Sequence, residues 1–282
     1  MKRRRDNYQP MAKKFLVIDQ NYLRDSHLEE FLASNSDLVV VLPDVALMEM
    51  CKSSSWKTTM NRSLKVLSGN LHKVYLSIGI GEAFRYEISK RRSIEGRLFD
   101  KELTASFRDL LNEVARGEDG EQVEAIAKRI VQVQEELRTN ELNADQNKTK
   151  LNDLIGLLES EIKPESLKDL RANRISHQDK LNTIKKYAPS VFENYFRQVG
   201  FPSNKVKSFL RQKPMILRYV YSRLWLCLYW IEKGGFKAVR PEKITNDNLD
   251  HEYILTATFF DGILSMERRV NEAYRDISSL IA

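Results

Sequence analysis

The sequence predicts an α/β protein in which a parallel sheet carries a large helical insertion. Three apolar runs of strand length lie near residues 14–19, 38–42 and 72–77 of the 282-residue chain, and helical periodicity fills the gaps between them. This strand–helix alternation implies parallel strands that are joined by short right-handed crossovers. From about residue 82 to residue 233 we find helical patterns only, with no strand.

The first two strands each lead to an acid in an apolar setting. The first strand runs straight into Asp19, and a helical pattern follows as far as Ser34. After the second strand, Pro43 starts a helix in the first turn, where proline is favourable. That helix is apolar apart from Glu49, and a more polar helix then covers residues 56–68.

The insertion consists of helices with a narrow apolar stripe and mixed charges, as in packed helical hairpins or a short coiled coil. Its last helix, at about 213–233, is apolar enough to raise the question of a membrane span. Arg218 and Arg223 fall inside this helix, however, and charges there are costly in hydrocarbon. We therefore predict a core helix and no membrane partner.

The last segment of the chain returns to the sheet. Thr245–Asp247 form an N-cap cluster before a helix that carries Asp250. A short strand at about 262–265 then leads to Glu267, and a closing helix follows from Arg268.

The formal net charge of +7 is concentrated in one segment. Between Glu193 and Glu232 there is no acid but there are seven basic residues, which are Arg197, Lys205, Lys207, Arg211, Lys213, Arg218 and Arg223. A concentrated positive field suits a polyanion such as nucleic acid, although a solvated helix face is the alternative. The two cysteines lack metal-ligand spacing and no apolar signal segment is visible, so we expect a cytoplasmic protein with reduced thiols.

Four acids stand at comparable positions in this arrangement. Asp19 and Glu267 each follow a strand, whereas Glu49 and Asp250 each lie on a helix beside apolar neighbours. Asp250 shares its helix face with Ile254, which should pack on the sheet. Carboxylates that converge on a core need compensation, and a divalent cation such as Mg²⁺ or Mn²⁺ provides it. The alternatives are that Asp19 caps the helix after it and that Asp250 is a first-turn acid favoured by the helix dipole.

These motifs resemble the PIN-domain ribonucleases. Val17-Ile18-Asp19-Gln20-Asn21 resembles the family's strand that ends in Asp, and Leu42-Pro43-Asp44-Val45-Ala46-Leu47-Met48-Glu49 resembles its apolar helix that bears a Glu. Asp250-His251-Glu252-Tyr253-Ile254 and Ile263-Leu264-Ser265-Met266-Glu267 resemble its last helix, strand and acid. The resemblance covers about 14–80 and 236–282. Glu267 stands where the family usually has Asp, and the insertion is far larger than in compact toxin-type members.

The resemblance implies a PIN-like three-layer domain formed by residues 1–81 and 236–282. Residues 82–235 would then be the helical insertion, with its last helix packed on the nuclease core. The resemblance further implies that Mg²⁺ or Mn²⁺ is held by Asp19, Glu49, Asp250 and Glu267, so that a metal-activated water hydrolyses the phosphodiester. The side chains expected to contact nucleic acid are Asn21, Lys52, Lys57, Arg62, Arg211, Lys213 and Ser265.

The function that this resemblance implies is a metal-dependent endoribonuclease, and a toxin or antiviral effector is the setting that family habit favours. One alternative is a nuclease of the same fold that acts on DNA, including single-stranded DNA. The other alternative is a catalytically weak nucleic-acid-binding or scaffold protein that acts through its helical insertion. That insertion is also where we expect a protein partner or a second copy of the chain to bind.

Overall fold

A five-stranded sheet forms the centre of the computed structural model, which describes residues 13–51, 54–117, 120–121, 123–125, 144–235 and 239–282. The strand order is β4-β3-β2-β1-β5, and every pairing is parallel except that between β3 and β4. The strands are β1 (Lys14–Ile18), β2 (Leu38–Leu42), β3 (Val74–Ser77), β4 (Phe99–Asp100) and β5 (Gly262–Leu264). The prediction of an α/β protein with a mainly parallel sheet is confirmed.

The position of β1 in the sheet brings its carboxyl end next to that of β5. This strand lies between β2 and β5, and its last residues, Val17 and Ile18, are completely buried. Ile18 pairs with Leu264, so the chain leaves both strands at the same edge of the sheet. The residues directly after β1 and β5 therefore meet at the carboxyl edge, where open α/β sheets bind their ligands.

Strand β4 is an element that the sequence does not predict. It has two residues, which is too short for an alternating pattern, and it pairs antiparallel with the end of β3. Its Phe99 ring packs against Phe15 and Phe260 at centroid distances of 5.2 Å in each case. The expectation that residues 82–233 contain no strand is therefore wrong at this position.

Twelve α-helices have both ends within the described residues, with short 3-10 turns at Tyr22–Arg24 and Leu71–Lys73. In the first part of the chain they are α1 (Leu28–Ser34), α2 (Asp44–Cys51), α3 (Trp56–Ser68), α4 (Ile80–Lys90) and α5 (Lys101–Arg116). In the second part they are α6 (Ala144–Glu161), α7 (Pro164–Arg171), α8 (His177–Gln198), α9 (Ser203–Leu210), α10 (Met215–Glu232), α11 (Pro241–Ala257) and α12 (Arg268–Ile281).

Two large apolar cores hold these helices. One core surrounds the sheet and includes Phe107 and Leu111 of α5, so α5 packs with the strands although it lies after residue 82. The other core is built on α8 and α10 and extends to Ile277 of α12. The buried members of this second core begin at Leu151 of α6, and Phe84 and Ile88 of α4 pack against it.

Helix α10 is the apolar helix predicted at about 213–233. It is buried along most of its length and contacts α8, α11 and α12. Its Arg218 is buried: the guanidinium donates to the backbone oxygens of Lys213 and Thr258 and lies 3.4 Å from the centre of the Phe259 ring. In the part of the chain that the structure describes, no helix has the length and apolar character needed to cross a membrane.

Candidate active site at the carboxyl edge of the sheet

Asp19 directly follows β1 and is 5% exposed. Its backbone N–H donates to the carbonyl of Leu264 at 3.1 Å, which continues the pairing of β1 with β5. Its carboxylate accepts a 2.7 Å bond from the N–H of Tyr22 and another bond from the hydroxyl of Ser265. The bond from the N–H of Tyr22 is the contact expected if Asp19 caps the turn that follows it. The bond from Ser265 connects the same carboxylate to the segment after β5.

Glu49 and Glu267 reach the same region from α2 and from the N-cap of α12. The hydroxyl of Tyr253 donates to Oε2 of Glu49 at 2.7 Å, and this links α2 to α11. The amide of Asn21 donates to Oε1 of Glu267 at 3.2 Å. The predicted residues Asn21 and Ser265 therefore each hold one of the predicted acids.

Electrostatic repulsion from Glu49 and Glu267 acts on both Asp19 and Asp250. The carboxylates of Glu267 and Glu49 raise the pKa of Asp19, although burial is the larger cause. Burial, followed by repulsion from Glu267, Asp247 and Glu49, raises the pKa of Asp250 to about 7, against the opposing effect of Arg269. We call Asp19, Glu49, Asp250 and Glu267 the acid cluster.

Arg269 is the cation that compensates part of this charge, and the sequence does not single it out. It lies on α12 two residues after Glu267, and its side chain is only 14% exposed. Its Nη1 is 2.5 Å from Oδ1 of Asp247, and its Nη2 is bonded to Oδ2 of Asp250. Because the pairing joins two helices, local sequence spacing gives no signal for it.

Asp247 is a second residue that the sequence treats only as part of a helix cap. Its side chain is completely buried, and its Oδ1 also accepts a 2.6 Å bond from Nζ of Lys243. Its Oδ2 is buried and has no hydrogen-bond partner in the structure. A buried carboxylate oxygen without a donor is unfavourable, and the pairing of Oδ1 with Lys243 and Arg269 offsets this cost.

Tyr253 is the third residue missed. It is one of the largest fully buried side chains, and burial together with the charge of Glu49 raises its pKa well above the usual value. The phenol therefore stays protonated and acts as a hydrogen-bond donor to Glu49.

The predicted basic contacts divide into two groups. Lys57 and Arg62 are exposed on α3, which precedes β3 in the chain. Lys52 lies outside the described residues.

Arg211 and Lys213 are not brought together with the acid cluster. Nζ of Lys213 donates to the backbone oxygen of Ala282, at the end of α12 opposite to Glu267. Helix α12 has 14 residues, and at a rise of about 1.5 Å per residue it is about 21 Å long. Arg218, which belongs to the same basic segment, is buried and serves the fold.

The donor chemistry of the cluster fits a hard divalent cation, because it consists of oxygen ligands. Among the described residues, however, no three acidic, histidine or cysteine side chains are grouped as a ready metal site. The contacts explain this arrangement, since Arg269 holds Asp250, Tyr253 holds Glu49 and Asn21 holds Glu267. A cation would have to compete with these partners.

Comparison with protein-family models, with curated proteins and with solved structures finds no match. The fold and the site together define a class of protein, namely an α/β protein with acidic residues at the carboxyl edge of a mainly parallel sheet.

Proposed function

We propose that this protein is a metal-dependent nuclease that hydrolyses RNA phosphodiesters at the acid cluster. The observation that carries the proposal is the gathering of Asp19, Glu49, Asp250 and Glu267 at one edge of the sheet, where they raise the pKa values of Asp19 and Asp250. Like charges placed together destabilise the folded state, and a bound cation would offset this cost.

The acids suit Mg²⁺ or Mn²⁺, with Asp19 and Asp250 as the more buried ligands and Glu49 and Glu267 completing the site. When bound, such a cation supplies a water of lowered pKa and offsets negative charge on the phosphate oxygens. Arg269 supplies one positive charge against this group of acids, which leaves an excess of negative charge for the cation to neutralise.

The remaining residues of the site orient the acids and the substrate. Ser265 and the N–H of Tyr22 fix the carboxylate of Asp19, and Tyr253 fixes that of Glu49. Asn21 is exposed and can also donate to a phosphate oxygen. Met266, next to Glu267, is 64% exposed and offers an apolar surface to a nucleobase.

RNA is proposed as the substrate because of the resemblance to the PIN-domain ribonucleases, and the cytoplasmic toxin or antiviral setting has the same source. Lys57 and Arg62 would contact the phosphate backbone, which is the usual role of exposed basic side chains beside a nuclease site. A DNA-directed nuclease of the same fold is the alternative within this class.

A second candidate function is a catalytically weak nucleic-acid-binding or scaffold protein. The contact of Arg269 with Asp250 favours it, because a resident guanidinium neutralises the carboxylate without any metal. In that case the acid cluster is a structural ion-pair network.

Cleavage of labelled RNA and single-stranded DNA with Mg²⁺, with Mn²⁺ and with chelator tests the proposal. We expect metal-dependent cleavage that is lost in Asp19→Asn and in Asp250→Asn. Asp153→Asn, an exposed acid on α6, is the matched control and should cleave like the wild type. Tight binding without cleavage in either metal would instead establish the second candidate.

A further inference from the structure

A large open cavity lies in the helical part of the described residues, away from the acid cluster. It is a groove of about 980 Å³ between α8 and α9, with the start of α10 beneath it. Its rim on α8 runs from Lys185 to Arg197, a distance of about 18 Å at a rise of about 1.5 Å per residue. Three turns of an α-helix have nearly this length.

Both walls of the groove are basic. Lys185 and Arg197 stand on the α8 wall, Lys207 and Arg211 stand on the α9 wall, and Glu193 is the single acid among the lining residues. All four cations are exposed, and none of them forms an ion pair with a carboxylate of the described residues. Their positive charge is therefore available to interact with a ligand that enters the groove.

The floor is apolar, and most of its aromatic rings are closed to stacking. Phe192, Phe196 and Phe201 are at most 7% exposed, since their rings pack on one another with centroids 6.2 Å and 4.8 Å apart. The half-buried apolar side chains that line the groove are Val206, Leu210 and Tyr221, and the ring of Tyr221 packs edge-on against Phe192. Single-stranded nucleic acid stacks successive bases on several open aromatic faces, whereas a floor with one half-buried ring and aliphatic side chains suits an apolar helix face better.

We propose that this groove binds an acidic amphipathic helix of a partner protein. The apolar face of that helix, with anchors spaced i, i+4 and i+7, would lie on Val206 and Leu210, and Glu or Asp on its flanks would meet the basic walls. Charge complementarity between the walls and the flanks gives the recognition its specificity.

The location indicates that such a partner recruits the protein rather than blocks it. Arg211 on the groove is two residues from Lys213, whose ammonium group contacts Ala282 at the far end of α12 from Glu267. Docking in the groove therefore leaves the carboxyl edge of the sheet open. This inference does not depend on the proposed nuclease activity, and it reassigns Arg211 from nucleic-acid contact to partner contact.

Fluorescence anisotropy with a labelled peptide tests the proposal on the full chain. The probe is a helix-forming peptide of about four turns with Leu at the anchor positions and Glu on both flanks. We expect it to bind the wild type, to bind about tenfold more weakly to the Lys207→Glu, Arg211→Glu double variant, and to lose affinity in high salt. Lys163→Glu with Lys168→Glu, the same charge change at exposed positions outside the groove, should bind like the wild type.

Several results would overturn the proposal. A peptide with Lys in place of Glu that binds equally well would show that charge is not recognised, as would equal binding by both double variants. Failure of the Glu peptide to bind the wild type, with single-stranded RNA binding that the groove variant loses, would assign the groove to nucleic acid. Self-association that only the groove variant abolishes would assign it to a second copy of the chain.

Discussion

Arg269 is the side chain on which the charge balance of the acid cluster depends. Its guanidinium is mostly buried and bridges Asp247 on one side and Asp250 on the other. The two helices α11 and α12 are thereby joined beside the proposed cation site. A divalent cation and Arg269 are alternative partners for Asp250, so stability and metal binding should be coupled.

Replacing Arg269 with Leu should lower the free energy of unfolding in chelator by about 3–5 kcal/mol, because Asp250 loses its guanidinium partner and the buried Asp247 keeps only Lys243. Added Mg²⁺ should restore more stability to this variant than to the wild type. Urea denaturation with and without Mg²⁺ measures both effects. Arg268→Leu is the control, since Arg268 is an exposed neighbour whose ion pair with Glu272 should contribute nothing measurable. Equal stability of the two variants would contradict this account.

Asp250 should make stability depend on pH. Its pKa is raised from 3.8 to about 7, so between these values the native carboxyl keeps a proton that the unfolded chain has lost. Because the native state then binds more protons, the free energy of unfolding should fall as pH rises through this range and stay low above it. The fall is a few kcal/mol at most, since one pKa unit corresponds to about 1.4 kcal/mol.

The Asp250→Asn variant cannot titrate at this position, so its free energy of unfolding in chelator should change less between pH 4 and pH 7. Denaturation curves at several pH values compare the two proteins. The same slope in both would show that the cluster does not hold Asp250 protonated.

At the residue scale, the sequence identifies the acids and two of their partners, Asn21 and Ser265, but not Arg269 or Tyr253. Asp19 and Glu267 are visible because an acid directly after an apolar strand has a fixed place at the sheet edge. Arg269 and Tyr253 cannot be identified from the sequence, because their importance comes from contacts between α12, α11 and α2. No local sequence pattern predicts such contacts between helices. The basic segment likewise predicts a polyanion contact that Arg218 cannot make, because this residue is buried.

At the scale of elements, the start of α10 depends on a residue of α4. The carboxylate of Glu87 is buried and accepts backbone N–H bonds from Met215 at 2.8 Å and from Ile216 at 3.2 Å. It also accepts a 3.0 Å bond from the N–H of Ile94. One side chain thus satisfies orphan donors at a helix N-terminus and fixes the loop after α4.

Replacing Glu87 with Ala should lower the free energy of unfolding by about 2–4 kcal/mol, because three buried donors lose their acceptor. Glu82→Ala, at an exposed position of the same helix, is the matched control. Chemical denaturation monitored by circular dichroism measures the difference. If both variants are equally stable, α10 does not need this cap.

The helices and the parallel strands are predictable because their periodicities are long enough to be read from the sequence. Strand β4 is not, because two residues carry no alternation and its place is decided by the aromatic contacts of Phe99 with Phe15 and Phe260. The packing of α5 against the sheet is also not predictable, because the apolar stripe of a helix does not indicate which core the helix joins.

At the scale of the whole molecule, α11 connects the two large cores. Its Leu249 and Tyr253 belong to the core around the sheet, whereas Ile254 belongs to the helical core. Asp250 lies between these residues on the same helix. Damage to either core should therefore reach the acid cluster.

Leu224→Ala, in the centre of the helical core, should lower the free energy of unfolding by about 3–5 kcal/mol through the cavity it leaves. Unfolding should remain one transition in calorimetry, because the cores share α11. Leu157→Ala is the control, since Leu157 belongs to the helical part but is 47% exposed. Two separate transitions in the Leu224→Ala variant would contradict the coupling of the cores.

The central claim is that the acid cluster binds a divalent cation, and a Mn²⁺ titration followed by electron paramagnetic resonance tests it most directly. We expect one Mn²⁺ site per chain, with affinity weakened by about tenfold or more in Asp19→Asn and Asp250→Asn and unchanged in Asp153→Asn. Wild-type affinity in both cluster variants, or no Mn²⁺ binding by the wild type, would contradict the account.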